Sequence, residues 1–329
     1  MTGRLGAKLI LIFVLIVILL ASVWLVSRLS PPLAKPPSVP EKPFLTIMTA
    51  NIRLYGTEPT STDQWPLRRA LLVQTLLKYH PMIIALQGAG PAQNAYLVEH
   101  LNAYDHYPGR SILHGNLLTT LASALTTWNQ IYYLRDRFIL IDSANGLVLP
   151  REPQANPTEN TYYSLVVLQD RYKELPDIII IDTHIRHLTI SSMDASKQLQ
   201  VILRDIYWRK YPDALAVLVG DMNHEFTYPP VYDLLVGKPY VGSRYGMLQD
   251  TFVYDDQHPG ESWGTHHSFT GLAELMEPSD LFLVSQGWSF DPPQIIRDHM
   301  PDGRYPSDHF FVLDTLYPSG PPFVSAVHQ

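Results

Sequence analysis

The 329-residue sequence contains no cysteine. That excludes a disulfide-stapled scaffold, a Cys-ligated zinc or iron–sulfur centre and a cysteine nucleophile. Basic charge is also scarce, with 24 Lys and Arg against 31 Asp and Glu, a formal net charge of −7. Five of the 24 bases and one of the 31 acids fall within residues 1–43, leaving 19 against 30, or −11, on the remainder. Sequence-independent affinity for long polyanions comes from Lys and Arg neutralising phosphates, so unselective duplex DNA binding is not expected. Apolar residues, at 46%, suffice for a large core.

Long hydrophobic runs are absent except for one. Leu9 to Val26 is an 18-residue apolar run broken only by Ser22. At about 1.5 Å per residue it spans roughly 27 Å, close to the ~30 Å hydrocarbon core of a bilayer. Residues 1–29 therefore read as a single-pass N-terminal transmembrane helix, a signal-anchor. A cleaved signal peptide is the competing reading, but the run exceeds the usual ~7–15 residues and no small-x-small site follows it. Basic residues flank both sides (Arg4 and Lys8, then Arg28, Lys35 and Lys42), so the positive-inside rule gives no orientation. The ordinary behaviour of signal-anchors places the following domain on the non-cytoplasmic side of the membrane. Six prolines within residues 30–43 favour extended polyproline II and a semi-rigid spacer. Residues 44–329 show no second linker and no repeat, and read as one domain.

Within that domain, strand candidates rich in Ile, Val and Tyr cover 44–51, 82–86, 129–134, 138–142, 162–169, 178–185, 215–221, 281–285 and 310–316. Trp65–Tyr79 carries a helical stripe of Leu72, Leu76 and Leu77, with Pro66 tolerated in the first turn. Asp194–Lys210 carries another, with Leu199, Ile202, Leu203 and Ile206. The expected fold class is α+β, a two-sheet β-sandwich flanked by helices.

Polar residues cluster at the strand ends. Asn51 ends the first, Asp182 and His184 the sixth, Asp221 and Asn223 the seventh, while Asp308 and His309 precede the last. Carboxylate, amide and imidazole groups converging from rigid strands suit metal-assisted hydrolysis of a phosphoester. Mg²⁺ takes oxygen ligands and usually only one or two carboxylates. A carboxylate can take a proton from water, and an amide or imidazole can stabilise the transition state. Each element alone is unspecific, since Asp and Asn also favour turns.

Taken in order, TIMTANIRLYG, WPLRRALLVQTLLKYHPMIIALQ, IYYLRDRFILIDSANGLVL, IIDTHIRH, LAVLVGDMN, THHSFTG, PSDLFLVS and GRYPSDHFFVL resemble the motifs of the endonuclease/exonuclease/phosphatase superfamily. These are deoxyribonuclease-like metal-dependent phosphoesterases. The resemblance spans about residues 45–316 and implies their sandwich fold. It implies Asn51 and Asp308 near a Mg²⁺ or Mn²⁺ ion, Asp221 as the base that activates water, and Asn223 as a transition-state or metal-side amide. It further implies His184 as a phosphate contact and His309 at the scissile phosphate, oriented by Asp280. A carboxylate bonded to an imidazole fixes its tautomer and raises its basicity, which gives Asp280 a chemical reason to be there.

The sequence departs from that pattern where the second strand reads Leu86-Gln87-Gly88. The superfamily has a metal-binding Glu at the third of these positions. Losing one carboxylate should weaken Mg²⁺ binding. Three readings follow: an enzyme with a weakly held metal, a substitute acid such as Glu58, Asp63 or Glu225, or a catalytically silent relative that binds a ligand or partner. The phosphoester substrate is open among a lipid headgroup, a small phosphate and nucleic acid. The domain's acidity argues against the last, and a membrane anchor favours the first. Trp263, Tyr254 and Phe269 read as core aromatics. The adjacent pair His266 and His267 does not read as a joint metal site, because neighbouring strand residues point to opposite faces.

Overall fold

Each of the Ile- and Val-rich segments forms a strand in a computed structural model of the protein, which describes residues 42–109, 128–148, 161–185, 209–223, 248–252 and 263–320. The strands are β1 (Leu45–Asn51), β2 (Ile83–Ala89), β3 (Tyr104–Tyr107), β4 (Trp128–Leu134), β5 (Phe138–Val148), β6 (Thr161–Asp170) and β7 (Ile178–His184). They continue with β8 (Leu215–Asp221), β9 (Leu248–Asp250), β10 (Asp280–Ser285), β11 (Trp288–Phe290), β12 (Gln294–Ile296) and β13 (Phe311–Pro318). Helices α1 (Trp65–Lys78) and α2 (Pro91–His100) lie between the early strands.

One sheet runs β11-β13-β1-β2-β4-β3, with β12 also paired to β13; the other runs β5-β6-β7-β8-β10-β9. Side chains alternate along β1, so one strand serves two cores. Leu45 and Ile47 join Ile83, Ala85 and Ile131 against the second sheet's Leu218, Phe282 and Val284. Met48 and Ala50 join Ile84 and Leu86 against Leu72, Leu76 and Leu97 of the two helices. Leu76 is completely buried, and its truncation to Ala should cost about 2–5 kcal/mol. Along β8 and β10 every residue is buried, as continuous apolar runs require.

The sandwich and α1 match the sequence-based expectation. The helix α2 and the short strands β3, β9, β11 and β12 were not expected from the sequence; three- and four-residue strands carry too few alternations to register. The two described α-helices cover the first sheet only. The helix expected at 194–210 lies outside the described residues apart from Arg209 and Lys210, as do the apolar run 9–26 and the spacer up to residue 41. Among the described residues no helix is long and apolar enough to cross a membrane.

Candidate active site

Strand direction gathers the polar residues. β1 pairs parallel to β2 and β7 parallel to β8, so each pair delivers two C-terminal ends to one place. β13 runs antiparallel to β1, and β10 antiparallel to β8, so their N-terminal ends arrive beside those C-termini. Asp280 is thereby the register partner of Asp221, and His184 that of Asp221 on the other side. Gly220 permits this tight packing, since a Cβ there would run into the Thr183 carbonyl. A 2.8 Å hydrogen bond from Asn51 Nδ2 to Asp221 Oδ2 then joins the two sheets.

Asp221 is the hub. Its Oδ2 lies 3.5 Å from His184 Nε2 and 3.8 Å from His309 Nε2, while its Oδ1 accepts the Asn223 N–H at 2.9 Å. His309 Nδ1 lies 2.8 Å from Asp280 Oδ2, which also accepts hydrogen bonds from Thr265 Oγ1 at 2.6 Å and Ser279 Oγ at 3.1 Å. Burial alone pushes the His309 imidazole down, but the carboxylates of Asp280, Asp221 and Asp308 outweigh it and raise its pKa to about 10. Asp280 is fully buried, which favours its protonated form. The charged His309 and the two hydroxyl donors overcome that and lower its pKa. At neutral pH the pair is an imidazolium held by a carboxylate.

The first-sheet side is built differently. Asp308 Oδ2 pairs with Arg53 Nη1 at 3.0 Å, and Asn51 Oδ1 accepts the Arg53 backbone N–H at 3.1 Å. Ser307 Oγ bonds the Asn51 carbonyl at 2.7 Å and Asp308 Oδ1 at 3.2 Å. Arg68, unremarkable in the sequence, clamps this side together. Its guanidinium is buried and donates to the carbonyls of Ile52, Arg53, Asp63 and Pro306 and to Glu58 Oε1. Glu58 is thus committed to Arg68, the Gly56 N–H and the Trp65 N–H. Asp63 accepts from Thr60. Neither supplies a substitute acid at the site, and Glu225 lies outside the described residues.

A model of the Endonuclease/Exonuclease/phosphatase family matches residues 48–309, from within β1 to His309 just before β13. The chain belongs to the endonuclease/exonuclease/phosphatase family. A crystal structure of a family protein from Bacteroides thetaiotaomicron is similar over 84% of this chain and 98% of its own, at 18% identity and a TM-score of 0.65. A mannosyl-6-phosphatase from the same organism matches over 83% and 99%, at 19% identity and a TM-score of 0.66. The human Nocturnin catalytic domain with bound sulfate anion matches over 84% and 95%, at 18% identity and a TM-score of 0.63. These likenesses are likenesses of fold. No curated protein matches the sequence.

Family members typically depend on a divalent metal, and two acid–histidine groups here could hold one: half-buried His266 with buried Asp308 and His309, or the buried Asp221, Asp280 and His309. The oxygen-rich set that Mg²⁺ prefers does not fit the first-sheet side. Gly88 has φ +75°, a left-handed conformation at an irregularity in the β2–β4 pairing. A Cβ built there would lie 3.0 Å from Asn51 Oδ1 and 3.4 Å from the Arg53 nitrogen, so the position faces the cleft without offering a ligand. The two remaining oxygen donors, on Asn51 and Asp308, are both engaged by Arg53.

Other residues separate into site and scaffold. Asn223 sits at φ +43° and turns its amide onto the Ile185 carbonyl at 2.8 Å, so it braces the turn after β8. Asp182, fully buried where the family pattern has Asn, accepts a 2.7 Å bond from Gln87 Nε2. Burial raises its pKa well above the usual carboxylate range, which favours the protonated form. His266 and His267 do point apart. His267 stacks on Phe310, whereas His266 lies 4.7 Å from the His309 ring, with its Nδ1 2.8 Å from Glu274. Single-sequence reasoning missed His266 as a site residue, because only its pairing with His309 across an isolated bridge brings it there. Trp263 packs edge-on against Phe252 in the core, Phe269 lies under Arg68, and Tyr254 lies outside the described residues.

Proposed function

We propose that this protein is a hydrolase of small or lipid-borne phosphoesters. One observation carries the reading. Asp221, Asn51, His184 and His309 meet where the two sheets end, and the buried Asp280 fixes the charge and orientation of His309. Asp221 takes a proton from the attacking water. The His309 imidazolium hydrogen-bonds a phosphoryl oxygen through Nε2 and meets the negative charge that grows there. His184, on the solvent side of Asp221, contacts a second phosphate oxygen, and the Asn51 amide holds the Asp221 carboxylate in place. Because the Mg²⁺ donor set does not fit, no step is assigned to a metal.

The −11 charge on residues 44–329 supports a compact phosphoester over a long nucleic acid. The apolar run 9–26 supports tethering the domain to a membrane on its non-cytoplasmic side, within reach of headgroup phosphates. A second reading rests on Gly88: a relative that binds phosphate in the same cleft without turning it over.

The test is phosphate or alcohol release from a panel holding a phosphomonoester, a phosphodiester, phospholipid vesicles and a single-stranded oligonucleotide. Turnover of a small or lipid phosphoester, reduced at least ~100-fold by His309→Gln, is expected. Phosphate binding with no turnover across the panel would establish the silent reading instead.

A further inference from the structure

We propose that the guanidinium of Arg53 stands in for the divalent ion of this family, so that the cleft binds a phosphate without metal. The inference deepens the phosphoester reading and rests on it. It starts from three positions that in the family pattern surround the ion: Asn51, Asp308 and the residue at 88. In this chain Arg53 meets all three. Its backbone N–H is on Asn51 Oδ1, its Nη1 is on Asp308 Oδ2, and its nitrogen is 3.4 Å from where a Cβ at Gly88 would begin. With a left-handed φ of +54°, Arg53 puts its backbone N–H on Asn51 Oδ1 and its side chain on Asp308 Oδ2.

Charge matching points the same way. Asp308 is buried and pairs with Arg53 at 3.0 Å, while the buried Asp280 is paired with His309 Nδ1 at 2.8 Å. Gly88 adds no carboxylate, and Asp221 already has His184 and His309 within 4 Å, which leaves a weak call on a divalent ion. The guanidinium is itself anchored by the Thr57 carbonyl, at 3.3 Å from Nε and 2.7 Å from Nη2, yet 39% of the Arg53 side chain stays exposed at the cleft mouth. An anchored, partly open guanidinium suits a tetrahedral oxyanion, because one N–H on each of Nη1 and Nη2 is left after the bonds to Asp308 and Thr57 and the group cannot deprotonate at working pH. A phosphate placed there would be reached by Arg53 from one side and by the His309 ring from the other, with Asp221 behind it. The design exchanges a diffusible cation for a covalently attached one, and the Glu that would have bound the ion is no longer needed.

The experiment is calorimetric titration of the full chain with inorganic phosphate in excess chelator, and separately with Mn²⁺ alone. Phosphate should bind in chelator, Arg53→Met should weaken it at least ~30-fold, and Arg53→Lys should recover part of the loss by keeping charge without the fork. Mn²⁺ alone should show no stoichiometric binding. Phosphate binding that appears only with Mn²⁺, together with stoichiometric Mn²⁺ uptake, would overturn the inference and leave the phosphoester reading standing. Absence of phosphate binding in both buffers would overturn both.

Discussion

The two halves of the cleft differ in how their charges are matched. On the second sheet, Asp221 and Asp280 are buried at the ends of β8 and β10, and the charge they face is an imidazolium whose proton they hold. On the first sheet, Asn51 and Asp308 face a side chain that is 39% exposed and reaches in from a loop. Burial makes the second half rigid, and each of its groups is fixed by at least one partner. The first half gained its cation from a residue two positions after Asn51. The contrast separates a proton-handling side from a charge-neutralising side of one cleft, joined by the Asn51–Asp221 hydrogen bond, by the Gln87–Asp182 hydrogen bond and by the chain itself where Asp308 precedes His309.

The strongest way to break that comparison is to remove what holds the first half. Arg68→Met leaves Glu58 buried without its counter-charge and frees four carbonyls, so unfolding free energy should fall by about 3–5 kcal/mol in denaturant titration. A loss below 1 kcal/mol would mean the clamp is not structural.

Asp280→Asn sharpens the second half. His309 is protonated below its pKa of about 10 and loses its charge as pH rises through that value. Because that pKa is raised above the unfolded value of about 6.5, its stabilising contribution is complete below ~6.5 and gone above ~10. Removing the Asp280 charge should lower the pKa, move the alkaline limb of the rate profile toward neutrality and reduce turnover ~100-fold at pH 8. NMR titration of the imidazole reads the shift directly, and an unchanged midpoint would contradict the pairing.

Gly88→Ala and Gly88→Glu test whether a side chain can return to the first half. Both oppose a φ of +75°, so each should cost about 1–2 kcal/mol in thermal or chemical unfolding. Gly88→Glu alone should gain little Mn²⁺ affinity, because Arg53 sits against the same oxygens; adding Arg53→Met should produce it.

The smallest effect lies outside the cleft. Asp314 is buried in β13, and desolvation raises its pKa to about 7. The folded protein therefore loses stability as pH rises from ~4 through ~7, and Asp314→Asn should flatten that decline by ~1 kcal/mol or more at pH 8. A parallel pH–stability curve in the variant would place the titration elsewhere.

How much of this was legible in the sequence follows from the kind of signal each residue sends. Ile178–Ile181 and Leu215–Val219 announce strands because a run of β-branched and aliphatic residues has few other uses. Asp221, Asp308 and His309 were visible only as members of an ordered set of motifs, and Gly88 only as a break in that set. Arg68 sends no such signal, since nothing local reveals that the Ile52 and Arg53 carbonyls after β1 and the Pro306 carbonyl before β13 will close on it. Arg53 and His266 likewise became site residues through the turn after β1 and the bridge to His309, contacts that no sequence period encodes. Asp182 was visible as a strand-end carboxylate, but the upward shift of its pKa comes from complete burial, which the sequence does not show.

The most direct test of the central claim is the rate at which wild type and Asp221→Asn hydrolyse one activated phosphomonoester and one activated phosphodiester in excess chelator, with circular dichroism confirming that both are folded. The site described here predicts measurable wild-type turnover of at least one substrate and a loss of about 10³-fold in the variant, the scale of a missing general base. Equal rates in the two proteins, or wild-type turnover that vanishes in chelator and returns with Mn²⁺, would contradict it.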